Sequence, residues 1–309
     1  MTEPINDILP REDKQPEVEQ LLLEFSKGID EVVNFGTHIL KWEVSEATGG
    51  DENIPIAMML RHILEMTDSL SILVKNSSID PCKPILRGIL ETIFGLEYIL
   101  QADTENRALG FLVWHYHKDL KLSKKLTLGE QSNNQLKTKL QADKSTSTGI
   151  TPPIIPALPQ HIQNIQDLLA LPLYATAEAE YQSLIASGVS NPSWYQLFNG
   201  HRNIEQLATH LNRQGLYEVL YRGWSGPIHG TDIIQSKLSK SADGHGEIVQ
   251  IRYVKDAQTV TQFAFNLSLI TYQIMTDKRI VKHKADYANW YLTIREFFMR
   301  LTSEKLLTI

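Results

Sequence analysis

The stretch PILRGILETIFGLEYIL, Pro84 to Leu100, is apolar almost all the way round when wound as a helix. A helix of that kind is buried. It breaks its own pattern at Arg87 and Glu91, one turn apart, and Gly95 and Tyr98 continue the same stripe. Gly88, Thr92 and Gly95 are small enough for another backbone to approach closely. A buried arginine needs a partner, because an unpaired buried charge is very costly. Glu91 is that partner by spacing. Two readings follow, an ion pair that fixes helix register and a polar patch that lines a site.

Outward from this segment, most of the chain has helical periodicity. Val18, Leu21, Leu22, Phe25, Ile29, Val32, Val33, Ile39 and Leu40 predict a helix over Pro16–Val44, broken by TGGDENIP. Further helices are predicted over Ile56–Lys75, Cys82–Gln101 and Thr104–Leu126, joined by short polar turns that suit antiparallel neighbours. Gly129–Gln160 differs. It is rich in Ser, Thr, Asn, Gln, Lys and Pro, buries no face of its own, and is expected to be a mobile or extended connection. Shorter helices follow over Gln160–Leu169, Ala175–Ser187, Ile204–Asn212 and Gly215–Ser225, then long ones over Val260–Lys278 and Lys284–Leu306. GEIVQIRYVKD, Gly246–Asp256, is β-branched and flanked by glycine, so it is a small hairpin or a loop. The expected fold is an all-α multi-helix bundle with a long polar insertion and one small β-hairpin. The polar segment divides it into an N-terminal helical half, 1–128, the connection, 129–160, and a C-terminal helical half, 161–309, packed as one unit. LRHILE, Leu60–Glu65, and LRGILE, Leu86–Glu91, match at five of six positions, each with Arg and Glu at i and i+4.

The 309 residues are 42% hydrophobic, enough for a sizeable core. No apolar run reaches the ~18 residues that span a bilayer, and the polar N-terminus is no secretory signal. Cys82 is the single cysteine, which excludes an intrachain disulfide and a cysteine zinc cage. Cytoplasm is the expected compartment, with no membrane partner. The net charge is -6, and residues 1–70 carry 15 acids against 5 Lys or Arg. Bulk electrostatic coating of nucleic acid is thereby excluded, though local basic sites are not. The acidic N-terminal segment is a solvated helix, or a segment docked on a basic surface.

YRGWSGPIHG, Tyr221–Gly230, carries the chemistry. Pro227 lacks an N–H and restricts Gly226, so the helix kinks or ends there. Proline suits the first position of a new helix, which puts His229 in a first turn. The positive end of the helix dipole lowers its pKa and favours neutral imidazole, the form a general base needs. On a continuous helix Arg222 and His229 would share a face about 10 Å apart, and a kink draws them closer. Arg222 can grip a phosphate oxygen by a forked hydrogen bond. The bland alternative has His229 capping a turn and Arg222 pairing with Glu91 or Glu218.

Three phrases, LRHILEMTDSLSILVKNSSIDPCKPILRGILE, WYQLFNGHRNIEQLATHL and YEVLYRGWSGPIHG, resemble in that order a bacterial family catalogued as a domain of unknown function. The resemblance covers roughly Ile56–Asp232 and implies that the Arg87/Glu91 and Arg222/His229 phrases belong to one unit. An arginine, six residues and a histidine in an all-helical chain is also similar to the HEPN signature. HEPN proteins are helical bundles, many of them metal-independent ribonucleases of toxin–antitoxin and anti-phage systems, with sites composed across a dimer. Here the spacing sits at the long end of that signature, Gly223 follows the arginine, and Pro227 lies inside it. The resemblance implies a homodimer acting on RNA without cofactor or metal, with an antitoxin or defence protein as partner. His229 would be the acid–base and Arg222 would stabilise charge on the phosphate. Arg87, Glu91, Tyr221 and Ser225 would support them. A non-catalytic helical binding or scaffold module in a defence or stress-response complex is the alternative.

Other constellations are thinner. Ser225 and His229 are four apart, but no GxSxG is present. Glu91, His229 and Asp232 could form a metal site, but there is no HExxH. His115 and His117 diverge by about 200° on a helix. In DKRIVKHK, the cations Lys278, Arg279, Lys282 and Lys284 are candidate RNA-backbone contacts, or a solvated helix end. Trp194, Tyr195 and Phe198 are read as core contacts rather than a base-stacking platform.

Overall fold

The computed structural model describes residues 5, 6, 8–12, 14–143, 155–224, 226, 234, 237–240 and 244–307. The architecture is all-α with one tiny hairpin. Its contacts form two compact units. One combines 1–102 with 204–309, and the other is the middle of the chain, 103–203. The unit boundaries fall at 102/103 and 203/204, not at the polar segment.

In the first unit, helix α1 (Pro16–Glu46) starts with Pro16 at its first position and Glu17 and Glu19 in the first turn, all favoured there. Its stripe of Leu22, Phe25, Ile29, Val32 and Ile39 is buried. Helix α2 (Asn53–Lys75) packs on α1, and α3 (Cys82–Gln101) packs on α2. The bundle closes with α10 (Ala257–Lys278), which lies against α1, α2 and α3. Helix α11 (Lys284–Ser303) covers α10. Gly36 of α1 leaves room for side chains of α2 and α10, because a Cβ there would stand 2.2 Å from Leu64 Cδ2 and 2.3 Å from the Tyr272 hydroxyl. That buried hydroxyl donates to the Val32 carbonyl at 2.7 Å, and burial pushes its pKa up.

Glu43 of α1 is 2% exposed and accepts from the Arg279 guanidinium at 2.7 Å, and Arg279 also donates to Asn53 at 2.7 Å. Next to it, His283 lies flat on Trp42 at 4.0 Å, with Nε2 on Glu46 at 2.7 Å and Nδ1 on Asp286 at 2.8 Å. Donating to the Glu46 carboxylate, and next to that of Asp286, raises the pKa of His283 above 6.5. The His283 hydrogen bond, followed by that from Lys282, lowers Glu46 below 4.5. The clamp therefore contributes fully between those two values. A group with a raised folded pKa loses its contribution as pH climbs through that pKa, and one with a depressed pKa loses it as pH falls. The melting temperature is expected to decline as pH rises from about 6 to 8, and His283→Gln should flatten that decline, measured by calorimetry.

The acidic N-terminus is docked. Ile251 and Arg252 donate backbone N–H bonds to the Pro10 and Arg11 carbonyls at 3.0 and 2.9 Å. Glu12 pairs with Lys14 at 2.7 Å and Arg252 at 3.1 Å. The hairpin joins β1 (Leu238–Lys240) to β2 (Gly246–Ile248), antiparallel, with Ser239 opposite Glu247. Only the GEI of GEIVQIRYVKD is strand, and its partner lies upstream of that segment.

The middle unit holds α4 (Thr104–Leu126), α5 (Gln131–Ala142), α6 (Leu158–Leu169) and α7 (Ala175–Ala186). Leu109, Leu112, Val113, Tyr174 and Ala177 form its core, with Tyr116, Leu169, Tyr181 and Phe198 against it. Trp194 is buried, and Phe198 packs on this core as expected. The polar segment is not simply an extended connection, because Gln131–Ala142 is helical. Gln, Lys, Leu and Ala are good helix formers. The buried Asn133 amide donates to the Lys125 carbonyl at 2.7 Å, tying α5 to the end of α4. Residues 144–154 of that segment lie outside the described residues. No helix among the described residues is long and apolar enough to cross a membrane.

Candidate functional site

Helices α8 (Ile204–His210) and α9 (Gln214–Leu216) lead into a π-helix, Tyr217–Arg222, that packs against α3. The Gly223 N–H donates to the Glu218 carbonyl at 2.9 Å, five residues back, which is the π spacing. The wide turn sets Tyr217 over Tyr221, their rings 5.0 Å apart and 18° from parallel. On the far side of Tyr221 lies Arg87, its guanidinium carbon 3.8 Å from the ring centre. On the side of Tyr217 lies Arg222, at 5.8 Å. Four side chains thus form one ladder, Arg87–Tyr221–Tyr217–Arg222. The contact of the covered Arg87 with Tyr221 is worth about 0.5–2 kcal/mol.

The ladder separates two nearly identical sequence words. Arg61 of LRHILE pairs with Glu65 on the surface and its side chain is 57% exposed. Arg87 of LRGILE pairs with Glu91 at 3.3 Å but is 17% exposed, because Tyr221 covers it. Glu91 is 45% exposed, so the buried ion pair expected from an apolar helix is not what forms. The outward face of α3 is covered by a ring, not by a second helix's apolar face.

Arg222 is reached by solvent, 57% exposed, and donates to Glu218 at 3.2 Å with Glu205 at 4.0 Å. Those carboxylates, Glu218 first, raise its pKa further. Tyr217 is buried, and desolvation followed by the nearby Glu205 charge raises its phenol. The pairing with Glu218 is the one anticipated as the bland alternative for Arg222. Neither Tyr217 nor Glu205 was legible as a site residue. The Tyr-x-x-x-Tyr spacing was the available signal, but it reads as an ordinary α-helical pair.

A Cβ at Gly223 would stand 2.4 Å from the Val219 carbonyl oxygen, so the π turn closes only on glycine. Gly223→Ala is expected to cost about 1–3 kcal/mol, as overpacking against backbone does. Denaturant unfolding measures it, and Tyr221 fluorescence quenching by Arg87 reports whether the ladder has opened. The following residue, Trp224, meets Phe263 edge-on at 5.3 Å and lies 5.9 Å from the Lys83 ammonium. Lys83 is buried between Asp80 at 3.1 Å and Asp256 at 2.7 Å. The chain is therefore anchored on both sides of Gly223. Ser225, Pro227, His229 and Asp232 lie outside the described residues.

The candidate backbone contacts are spent differently. Arg279 is committed to Glu43, Lys282 pairs with Glu46 at 3.1 Å and Lys284 with Asp277 at 2.6 Å. Lys278 is exposed and borders a polar cavity of about 430 Å³ that also holds the Glu97–Arg213 pair. Of the divergent histidines, His117 Nε2 hydrogen-bonds to the Glu178 carboxylate at 2.7 Å while His115 is exposed. Among the described residues no group of three or more His, Cys, Asp or Glu is placed to hold a metal ion.

A family model described as a family of unknown function (DUF5677) matches residues 53–245, which include every member of the ladder and His229. No match is found among curated proteins or among solved structures.

Proposed function

The chain belongs to the DUF5677 family, and from that premise we propose that it is a HEPN-like, metal-independent ribonuclease of a toxin or anti-phage defence system, acting as a dimer. The observation that carries the reading is the position of Arg222, solvent-reached at the end of the ring stack and seven residues before His229. The ladder restrains the arginine, which is what a phosphate clamp needs. In this reading His229 takes the proton of an RNA 2′-hydroxyl, whose oxygen attacks phosphorus. The P–O5′ bond breaks, and the leaving oxygen takes a proton from the imidazolium of His229 of the partner subunit. The products carry a 2′,3′-cyclic phosphate and a 5′-hydroxyl. Arg222 leaves Glu218 for the phosphate oxygens and stabilises their growing charge. Tyr221, Arg87, Glu91 and Ser225 support the pair, and the second subunit supplies a second Arg222/His229 set.

One observation favours a second reading, a non-catalytic binding or scaffold module. Arg222 already has two carboxylates, Glu218 and Glu205, and a phosphate must compete with both. Incubating labelled single-stranded RNA with the purified protein in EDTA separates the two. The ribonuclease reading predicts discrete fragments. RNA left intact across protein concentrations that saturate binding supports the module.

A further inference from the structure

We propose that the C-terminal half of α4, in the middle unit, is a binding face for a single strand of nucleic acid. Lys118, Lys121, Lys124 and Lys125 stand on this half of the helix, and none forms an ion pair with a carboxylate among the described residues. Lys118/Lys121, Lys121/Lys124 and Lys121/Lys125 are like charges at i,i+3 or i,i+4, an arrangement that destabilises a helix. The helix dipole offsets this for Lys124 and Lys125 in the last turn, but its effect does not extend to Lys118 and Lys121. The nearest acids are turned to other work. Asp119 accepts from Ser123 at 3.1 Å and meets His161 at 3.0 Å. Glu178 is taken by His117 and by Gln182, each at 2.7 Å. Among the described residues none of the four ammonium groups is held in an ion pair, so the face is complementary to a polyanion.

Two grooves flank this half-helix, and Lys121 borders both. One, of about 570 Å³, is lined by His117, Lys124 and Tyr181 among others. The other, of about 510 Å³, is lined by His115, Lys118, Lys125 and Asn191 among others. Lys118 to Lys125 spans about 10 Å of helix, which matches three steps, and so about four phosphates, at the ~3.4 Å rise of a stacked strand. Two aromatic side chains, Trp114 and Tyr181, border the cations. Lys118 lies 4.3 Å over Trp114, and Tyr181 stacks on His117 at 4.0 Å. Lysines that track a backbone beside rings that can stack bases are the means by which unpaired strands are held without sequence preference. A duplex keeps its bases stacked inside and gains nothing from the rings, so the face selects a single strand. The proposal does not rest on the chemistry of Arg222 or His229.

The test uses the full chain and a 2′-O-methyl oligouridylate of about 20 nucleotides, which lacks the hydroxyl that cleavage requires. Anisotropy of the labelled strand is followed against salt. Four phosphate contacts give a slope of log K on log salt near about -2.8. Lys118→Gln/Lys121→Gln/Lys124→Gln/Lys125→Gln is expected to lose roughly tenfold or more in affinity and to flatten the slope. The fourfold arginine variant should retain binding. The control Lys27→Gln/Lys41→Gln/Lys75→Gln/Lys305→Gln removes the same charge from exposed positions elsewhere and should bind as the wild type does. Absence of binding at low salt, equal loss in the control, or equal affinity for the matching duplex would overturn the proposal.

Discussion

His229→Ala is expected to slow RNA cleavage in EDTA by roughly 10²–10⁴-fold, the range a positioned acid–base contributes. The substitution should leave the melting temperature nearly unchanged. Arg222→Ala should cost roughly 10²–10³-fold, the loss seen when one stabilising donor to the charged transition state is removed. Arg222→Lys is the sharper variant. It keeps the charge but loses the flat guanidinium that lies over Tyr217 and the fork that grips phosphate. It should therefore behave nearly like alanine. A rescue by lysine would mean that only bulk positive charge matters at this position, and the ladder would lose its role in catalysis.

The second large effect concerns folding. Arg279→Met leaves Glu43, 2% exposed, without its charged partner. An uncompensated buried carboxylate costs about 3–5 kcal/mol. Chemical denaturation should show that loss. Glu43→Leu combined with Arg279→Met should recover most of it, because a buried pair replaced by well-packed apolar groups is close to neutral. A double variant as unstable as the single one would mean that Arg279 stabilises through Asn53 or through packing, not through Glu43.

The long elements were legible in the sequence. The structure gives Cys82–Gln101 and Thr104–Leu126 the bounds that periodicity and turn residues predict. Helix α5 escaped because its stability rests on propensity and on one buried amide, Asn133, and neither leaves an apolar stripe to read. The Glu43–Arg279 pair escaped because the partners are 236 residues apart, and no local pattern joins them. The basic cluster containing Arg279 looked like surface for the same reason. Around the candidate site, the sequence singled out Arg87, Glu91, Tyr221 and Arg222. It could not show that Tyr217 completes the stack, because a π turn differs from an α turn by a single hydrogen-bond register. It also overstated the burial of Glu91, since a helix that is apolar all round can still be capped by one ring.

The proposed ribonuclease site pairs Arg222 with His229 and works without metal. Mass spectrometry of the RNA ends left in EDTA, by wild type and His229→Ala side by side, tests it most directly. The account predicts 2′,3′-cyclic phosphate ends from the wild type and intact RNA from the variant. Equal cleavage by both, or 3′-hydroxyl ends from the wild type, would contradict it.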